Sequence, residues 1–173
     1  MIRHHLLVLG FLVSAFMVDA ALADPEKPYD FEEKPWQEAA TQIPEFPVER
    51  NLIEFYVGPT EHNRFFVDGS TVSIGTDDIV RYVLVVKTAG GASNISLEGM
   101  RCDTLEFKLF ALGRSNGTWS KVANPLWRPI ENKLVNQHHA VLSRDFFCPP
   151  GNAPRDAAEA RAALRRGKRP GMP

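Results

Sequence analysis

Apolar and polar positions along the chain change their period several times, and each change predicts a different element. Leu6 to Val18 is an apolar run broken only by Gly10 and Ser14. Asn51 to Val57 alternates and is rich in β-forming residues. Arg64 to Val67 and Thr71 to Ile74 flank Asp68-Gly69-Ser70, a turn signal in which Gly69 is free to take positive φ, so these two segments predict a hairpin. Ile79 to Thr88 is the strongest strand candidate. Its β-branched run is too apolar for a sheet edge and lies between Asp77-Asp78 and Gly90-Gly91, which places it centrally. Asn94 to Met100 and Thr104 to Leu112 continue the pattern, the second setting Leu105, Phe107, Leu109 and Ala111 against Glu106, Lys108 and Phe110. Gly113 to Gly117 then turns into Trp119.

Strands at this spacing, with short Gly and Asp turns and no helical segments between them, predict a mainly β single domain. The sheet is antiparallel, as an open sheet, a sandwich or a partly closed barrel, with α+β as the alternative class. Parallel α/β architecture does not fit. One helix is expected near 136–147, where Ala140, Val141, Leu142 and Phe146 fall at helical spacing.

The flanks have another character. Residues 24–47 hold five prolines among acidic residues and predict an extended arm, within which Pro35 to Ala40 has the pattern of one or two helical turns docking Trp36. The β-rich body spans 48–150. From 151 to 173 the tail is basic and rich in Ala and Arg, partly disordered, with a helical pattern from Pro154 to Arg166 whose mostly alanine face predicts weak packing.

The amino terminus reads as an export signal. Arg3, His4 and His5 precede the apolar run, and Ala21-Leu22-Ala23 closes it with the small-x-small pattern of a peptidase site, so cleavage is expected between Ala23 and Asp24. An uncleaved anchor is the alternative, although the run is well short of the roughly 20 residues a membrane helix needs. No Cys stands immediately after the cut, the first being Cys102, which argues against a lipoprotein, and the mature chain of residues 24–173 should have no membrane span.

The formal net charge is −1, but it is unevenly spread. Residues 24–50 carry eight acidic and three basic side chains, 51–150 ten of each, and 151–173 two acidic and six basic. A neutral body gives no reason to expect nucleic-acid binding. The two cysteines, Cys102 and Cys148, share an oxidising compartment if the export reading holds, and one disulfide between them is expected. Two buried free thiols or a redox-active pair are the alternatives, the latter without the usual Cys-x-x-Cys spacing.

Taken in order, Trp36, Asn51-Leu52-Ile53, Phe65 to Asp68, Arg81 to Val85, Glu98 to Cys102, Gly113-Arg114, Trp119, Trp127 and Asp145 to Cys148 form a distinctive series. In this series the chain resembles the cryptic neisserial protein-like (CNP1-like) family of exported proteobacterial proteins, over roughly Trp36 to Cys148. The resemblance implies a Gram-negative host, a periplasmic location and paired cysteines, and it implies no activity. The basic tail lies outside it.

No stretch has the residue types and spacing of a known chemistry, so no catalytic residue, metal site or cofactor is predicted. His62, His138 and His139 lack metal-ligand spacing and read as solvated surface histidines. No Ser lies in Gly-x-Ser-x-Gly. Asp68, Asp77 and Asp78 sit among Gly69, Gly75 and Thr76 as turn residues. The weak ligand-site candidates are Arg81, Arg101, Arg114 and Trp119. The three arginines could clamp a carboxylate or phosphate, but structural ion pairs with Glu98, Glu106 or Asp68 are favoured. Trp119, with Trp127 and Phe110, could form an aromatic platform, but packing is favoured. Asn94-Ile95-Ser96 and Asn116-Gly117-Thr118 match the glycosylation sequon, which a bacterial host would not use.

The reading is an uncharacterised exported periplasmic protein with a non-catalytic binding or structural role in the envelope. Two rivals stand beside it. One is a small hydrolase-like enzyme whose site is assembled from distant Asp, Arg and His residues. The other is association of the tail with anionic lipid or an acidic partner.

Overall fold

The computed structural model describes residues 35–133, 136–149 and 151–167. The signal segment 1–23, the first part of the arm at 24–34 and the tail from 168 onward lie outside the described residues.

One antiparallel sheet carries the fold. Its strands are β1 (Leu52–Phe55), β2 (Arg64–Asp68), β3 (Ser73–Ile74), β4 (Ile79–Lys87), β5 (Ser93–Arg101), β6 (Glu106–Gly113), β7 (Trp119–Lys121) and β8 (Arg128–Pro129). The order β1-β2-β4-β5-β6-β7 is open, with β3 attached to β4 and β8 to β6. The mainly β, antiparallel expectation holds, in its open-sheet form.

The expected hairpin between the second and third strands is not formed. Both pair with β4 instead: β3 covers its first half through Ser73↔Arg81, and β2 its second half through Phe66↔Val85. Nine residues of β4 offer room for both partners. Asp68 closes the intervening turn, its Oδ1 accepting from the Ser70 N–H and Oγ at 2.9 and 2.6 Å. Gly69 does not take a left-handed φ. Its lack of a side chain serves another purpose, since a Cβ there would lie 2.8 Å from Ile53 Cδ1.

Alternation along β4 divides the interior into two layers. Val80, Tyr82 and Leu84 face a cluster shared with the helices, while Val83 and Val85 face a second cluster with Phe66, Leu97, Phe110 and Ala111. The expected alternation of β6 breaks at a bulge, where Leu97 pairs with Ala111 but Glu98 with Leu109. The extra residue brings Phe110 and Ala111 into the same cluster.

The helical layer consists of α1 (Gln137–Val141), which runs directly into a π-helical stretch at Leu142–Phe147, and α2 (Ala157–Arg166). Asp156 caps α2 by accepting the Glu159 N–H at 2.8 Å, and Gly167 ends it at φ 82°. The weak packing expected of its alanine face is overturned. Ala160 and Ala163 are fully buried, and Leu164 joins them in the core, because small side chains let the helix backbone approach β1 and the π-helical stretch closely.

Residues 35–48 cross the other face of the sheet as extended chain, without the expected helical turns at 35–40. The backbone groups a helix would use are taken by tertiary bonds. The Ala39 N–H donates to Asp77 Oδ2 at 2.8 Å, and the Ala39 carbonyl accepts from Arg81 Nη2 at 2.9 Å. No described helix is long and apolar enough to cross a membrane.

Candidate functional site

The chemically distinctive groups meet on the helix-facing side of the sheet. Register opposes Tyr82 to Glu98 on neighbouring strands, and α1 lays His139 over both. The Tyr82 hydroxyl donates to Glu98 Oε2 at 3.0 Å, and His139 Nε2 lies 2.8 Å from the same oxygen. Ser96 Oγ donates to the other carboxylate oxygen at 2.7 Å. Phe107 stacks on the His139 ring at 3.9 Å between centroids, and His138 adjoins it at 4.1 Å while stacking on Phe65.

This corrects the expectation of solvated histidines for His138 and His139. His139 is 4% exposed, Glu98 5% and Tyr82 0%. Of the three histidines only His62 is exposed. Two signals in the sequence pointed here: a glutamate in an otherwise buried strand, and histidines in an apolar helical stretch. Either needs a buried partner.

The cluster has a consistent electrostatic logic. Burial disfavours the Glu98 carboxylate, yet attraction and hydrogen bonding to His139, with help from Ser96 and His138, lower its pKa below the ordinary value. Burial, reinforced by Glu98, drives the Tyr82 hydroxyl well above its usual range. Desolvation and the neighbouring His139 lower His138 to about 4. Among the described residues, His139 Nδ1 has no hydrogen-bond partner.

The opposite face holds most of the arginine and tryptophan candidates. Arg81 forms a fork on Asp77, with Nη1 to Oδ1 at 3.0 Å and Nη2 to Oδ2 at 2.6 Å, and also donates to Thr41 Oγ1 and the Ala39 carbonyl. Its partner is therefore Asp77, and Glu98 lies across the sheet. Asp77 also takes N–H bonds from Ala39 and Ile79. Burial works against its charge, but these donors, led by Arg81, hold its pKa down at about 2. Arg101 binds Asp103 and lies over the Trp36 ring at 4.1 Å. Lys108 and the Trp127 indole both donate to Glu38 of the arm, at 2.7 and 3.1 Å.

Trp119 donates to the Pro44 carbonyl and packs on Phe46, and Trp127 meets Phe110 edge-on, so the aromatic groups pack under the arm. Arg114 sits apart at the β6–β7 turn, bonded to Ser120. The structure gives these residues individual partners and does not gather the three arginines into one clamp.

Cys102, just past β5, and Cys148, just past the π-helical stretch, form a disulfide with Cα atoms 5.1 Å apart. It ties the helical layer to the sheet beside the Glu98 cluster. Among the described residues no group of three or more His, Cys, Asp or Glu side chains is placed to hold a metal ion.

Fold and cluster together define an open antiparallel β domain with a helical layer stapled to one face and an extended arm ion-paired to the other. The chain belongs to the CNP1-like family, whose profile matches residues 31–165. The match therefore takes in α2, which the resemblance read from the sequence left outside. No curated protein and no solved structure is significantly similar to the chain.

Proposed function

We propose that this chain is an exported periplasmic protein that acts by binding, without catalysis, its body held rigid by a single disulfide. The observation carrying this reading is where the acid–base groups are used. Glu98 Oε2 engages both the Tyr82 hydroxyl and His139 Nε2 between β4, β5 and α1, and none of the three side chains lines the grooves that flank the helical layer. Groups buried in this way fix the helix on the sheet and lack the access to substrate that proton transfer requires. The signal pattern at 1–23 supports export, and a disulfide accords with an oxidising compartment.

Intact mass of the protein isolated from periplasm tests the compartment. The expected species begins at Asp24, and both cysteines react with alkylating reagent only after reduction. A retained amino terminus in a cytoplasmic fraction with freely alkylated thiols would overturn it.

One observation favours a catalytic reading. His138 is only half-buried and stacks on His139, which links the cluster to the surface. Chromogenic ester, phosphodiester and glycoside substrates decide between the two. Turnover by the wild type that His138→Asn abolishes, with the melting temperature unchanged, would establish the enzyme. No turnover is expected.

A further inference from the structure

The surface left unused by the cluster, the arm and the disulfide is a groove between α2 and the β1 edge of the sheet. Two cavities, of about 630 and 730 Å³, share Glu54, Leu164 and Arg165 and so form one continuous depression. Its polar end is lined by Arg50, Asn51, Ser70, Arg161 and Arg165. Its other end has a floor that includes Phe55, Val57, Phe65 and Phe146, with Tyr56, His62 and Arg166 around it.

Charge in the groove is one-sided. Arg50, Arg64, Arg161, Arg165 and Arg166 face three carboxylates, Glu54, Glu61 and Asp145, an excess of two positive charges in a chain whose net charge is −1. The carboxylates are also committed: Glu54 to Arg64, Asp145 to Arg144, and Glu61 to the N–H groups of His62 and Asn63. Arg50, Arg161, Arg165 and Arg166 have no carboxylate partner among the described residues. The carboxyl end of the α2 dipole opposes an anion there by about half a charge, which is less than the arginine excess. Tyr56, 71% exposed beside this patch, is the most exposed large apolar side chain of the described chain.

We propose that this groove binds an organic phosphate: the phosphate between Arg50, Arg161 and Arg165, and a ring-bearing or acyl body along Leu164 toward Tyr56. Arginines from two separate elements suit a dianionic group with three acceptor oxygens, since each planar fork can take a different oxygen pair. The combined volume exceeds what inorganic phosphate fills and suits a ligand of several hundred Å³.

The test is calorimetric titration of the mature chain, residues 24–173, with glucose 6-phosphate, inorganic phosphate and glucose, together with sedimentation on phosphatidylglycerol and phosphatidylcholine vesicles. Glucose 6-phosphate is expected to bind and glucose to fail. Arg50→Gln and Arg161→Gln should each weaken binding about tenfold, as loss of a charge-assisted bond predicts. Tyr56→Ala should weaken the sugar phosphate more than inorganic phosphate. Sedimentation with phosphatidylglycerol alone, reduced by the same two substitutions, would place the phosphate on a lipid headgroup. Failure of every phosphate-bearing probe, or binding that both arginine variants leave unchanged, would overturn the site. Arg50 lies in the 3-10 turn Glu49–Asn51 that leads into β1 and Arg161 in α2, so a folding defect in one variant leaves the other informative.

Discussion

Glu98 and His139 are 41 positions apart in the chain, yet Nε2 of the histidine lies 2.8 Å from Oε2 of the glutamate, with both side chains almost wholly buried. This contact joins the centre of the sheet to α1, in the helical layer that the disulfide closes. Removing Glu98 leaves the buried His139 ring and the Tyr82 hydroxyl without their partner beside Phe107 and Phe147. Glu98→Ala should therefore cost about 3 kcal/mol or more of unfolding free energy, read from urea denaturation. A loss below about 0.5 kcal/mol, the range of an ordinary surface substitution, would show that the cluster does not hold the helix.

Acid should act on this cluster first through His138. Its pKa falls from 6.5 to about 4 on folding, so between those values the unfolded chain binds the proton and the folded chain does not. The contribution to stability is fully present above pH 6.5 and is lost as the pH falls toward 4, by up to about 3 kcal/mol. Glu98 has the opposite charge and a lowered pKa, so its contribution is present above the ordinary carboxylate range and disappears only on further acidification. Urea midpoints measured from pH 7.5 to 4 should fall for the wild type and fall less for His138→Asn. Parallel curves for the two proteins would remove His138 as the cause.

On the opposite face, the arm should be released by breaking the Asp77–Arg81 fork. Asp77 moves from 3.8 to about 2 on folding, which contributes about 2 kcal/mol above pH 3.8 that is lost as the pH falls through 2. Asp77→Ala removes this and strands Arg81, so residues 36–48 should become cleavable by protease while the sheet persists. Gly75→Ala should act in the same direction, because its Cβ would run into Asp77 Oδ1 and lie 2.7 Å from Arg81 Nη1. An arm as resistant as in the wild type would show that the aromatic contacts suffice.

The disulfide closes a separation of 46 residues, and replacing both cysteines by serine should cost about 4 kcal/mol if chain entropy in the unfolded state dominates. The comparison is made by urea denaturation of the oxidised wild type and the double variant. A difference under about 1 kcal/mol would mean that the helical layer is positioned by packing alone.

Gly99 is a sharper packing test. A Cβ there would come 2.7 Å from Phe110 Cε2 and 3.1 Å from Ile79 Cγ2, in the layer beneath the arm. Gly99→Ala should destabilise by about 1–3 kcal/mol through overpacking, and Phe110→Leu should recover part of the loss.

Much of the sheet was legible because strand periodicity is local. The β-branched run of β4, the Gly and Asp turns and the single pair of cysteines each carry their meaning within a few residues or by simple arithmetic. What escaped depended on partners distant in sequence. Pro35 to Ala40 has the composition of a helical turn, but Asp77 and Arg81, about forty residues away, take its backbone groups. Residues 64–74 look like a hairpin until a nine-residue strand offers both halves a better partner. The α2 alanines look too small to pack until β1 and the π-helical stretch approach closely enough to enclose them. Glu98, His138 and His139 stand out in sequence only as polar residues in apolar stretches; which partner each finds is a property of the assembled layers. The sequence by itself marked most of the strands and turns and, with only two cysteines, the one pair they could form; tertiary structure decided which strands pair, which polar groups are sealed inside and which arginines remain to face solvent, since desolvation exists only once the layers have closed.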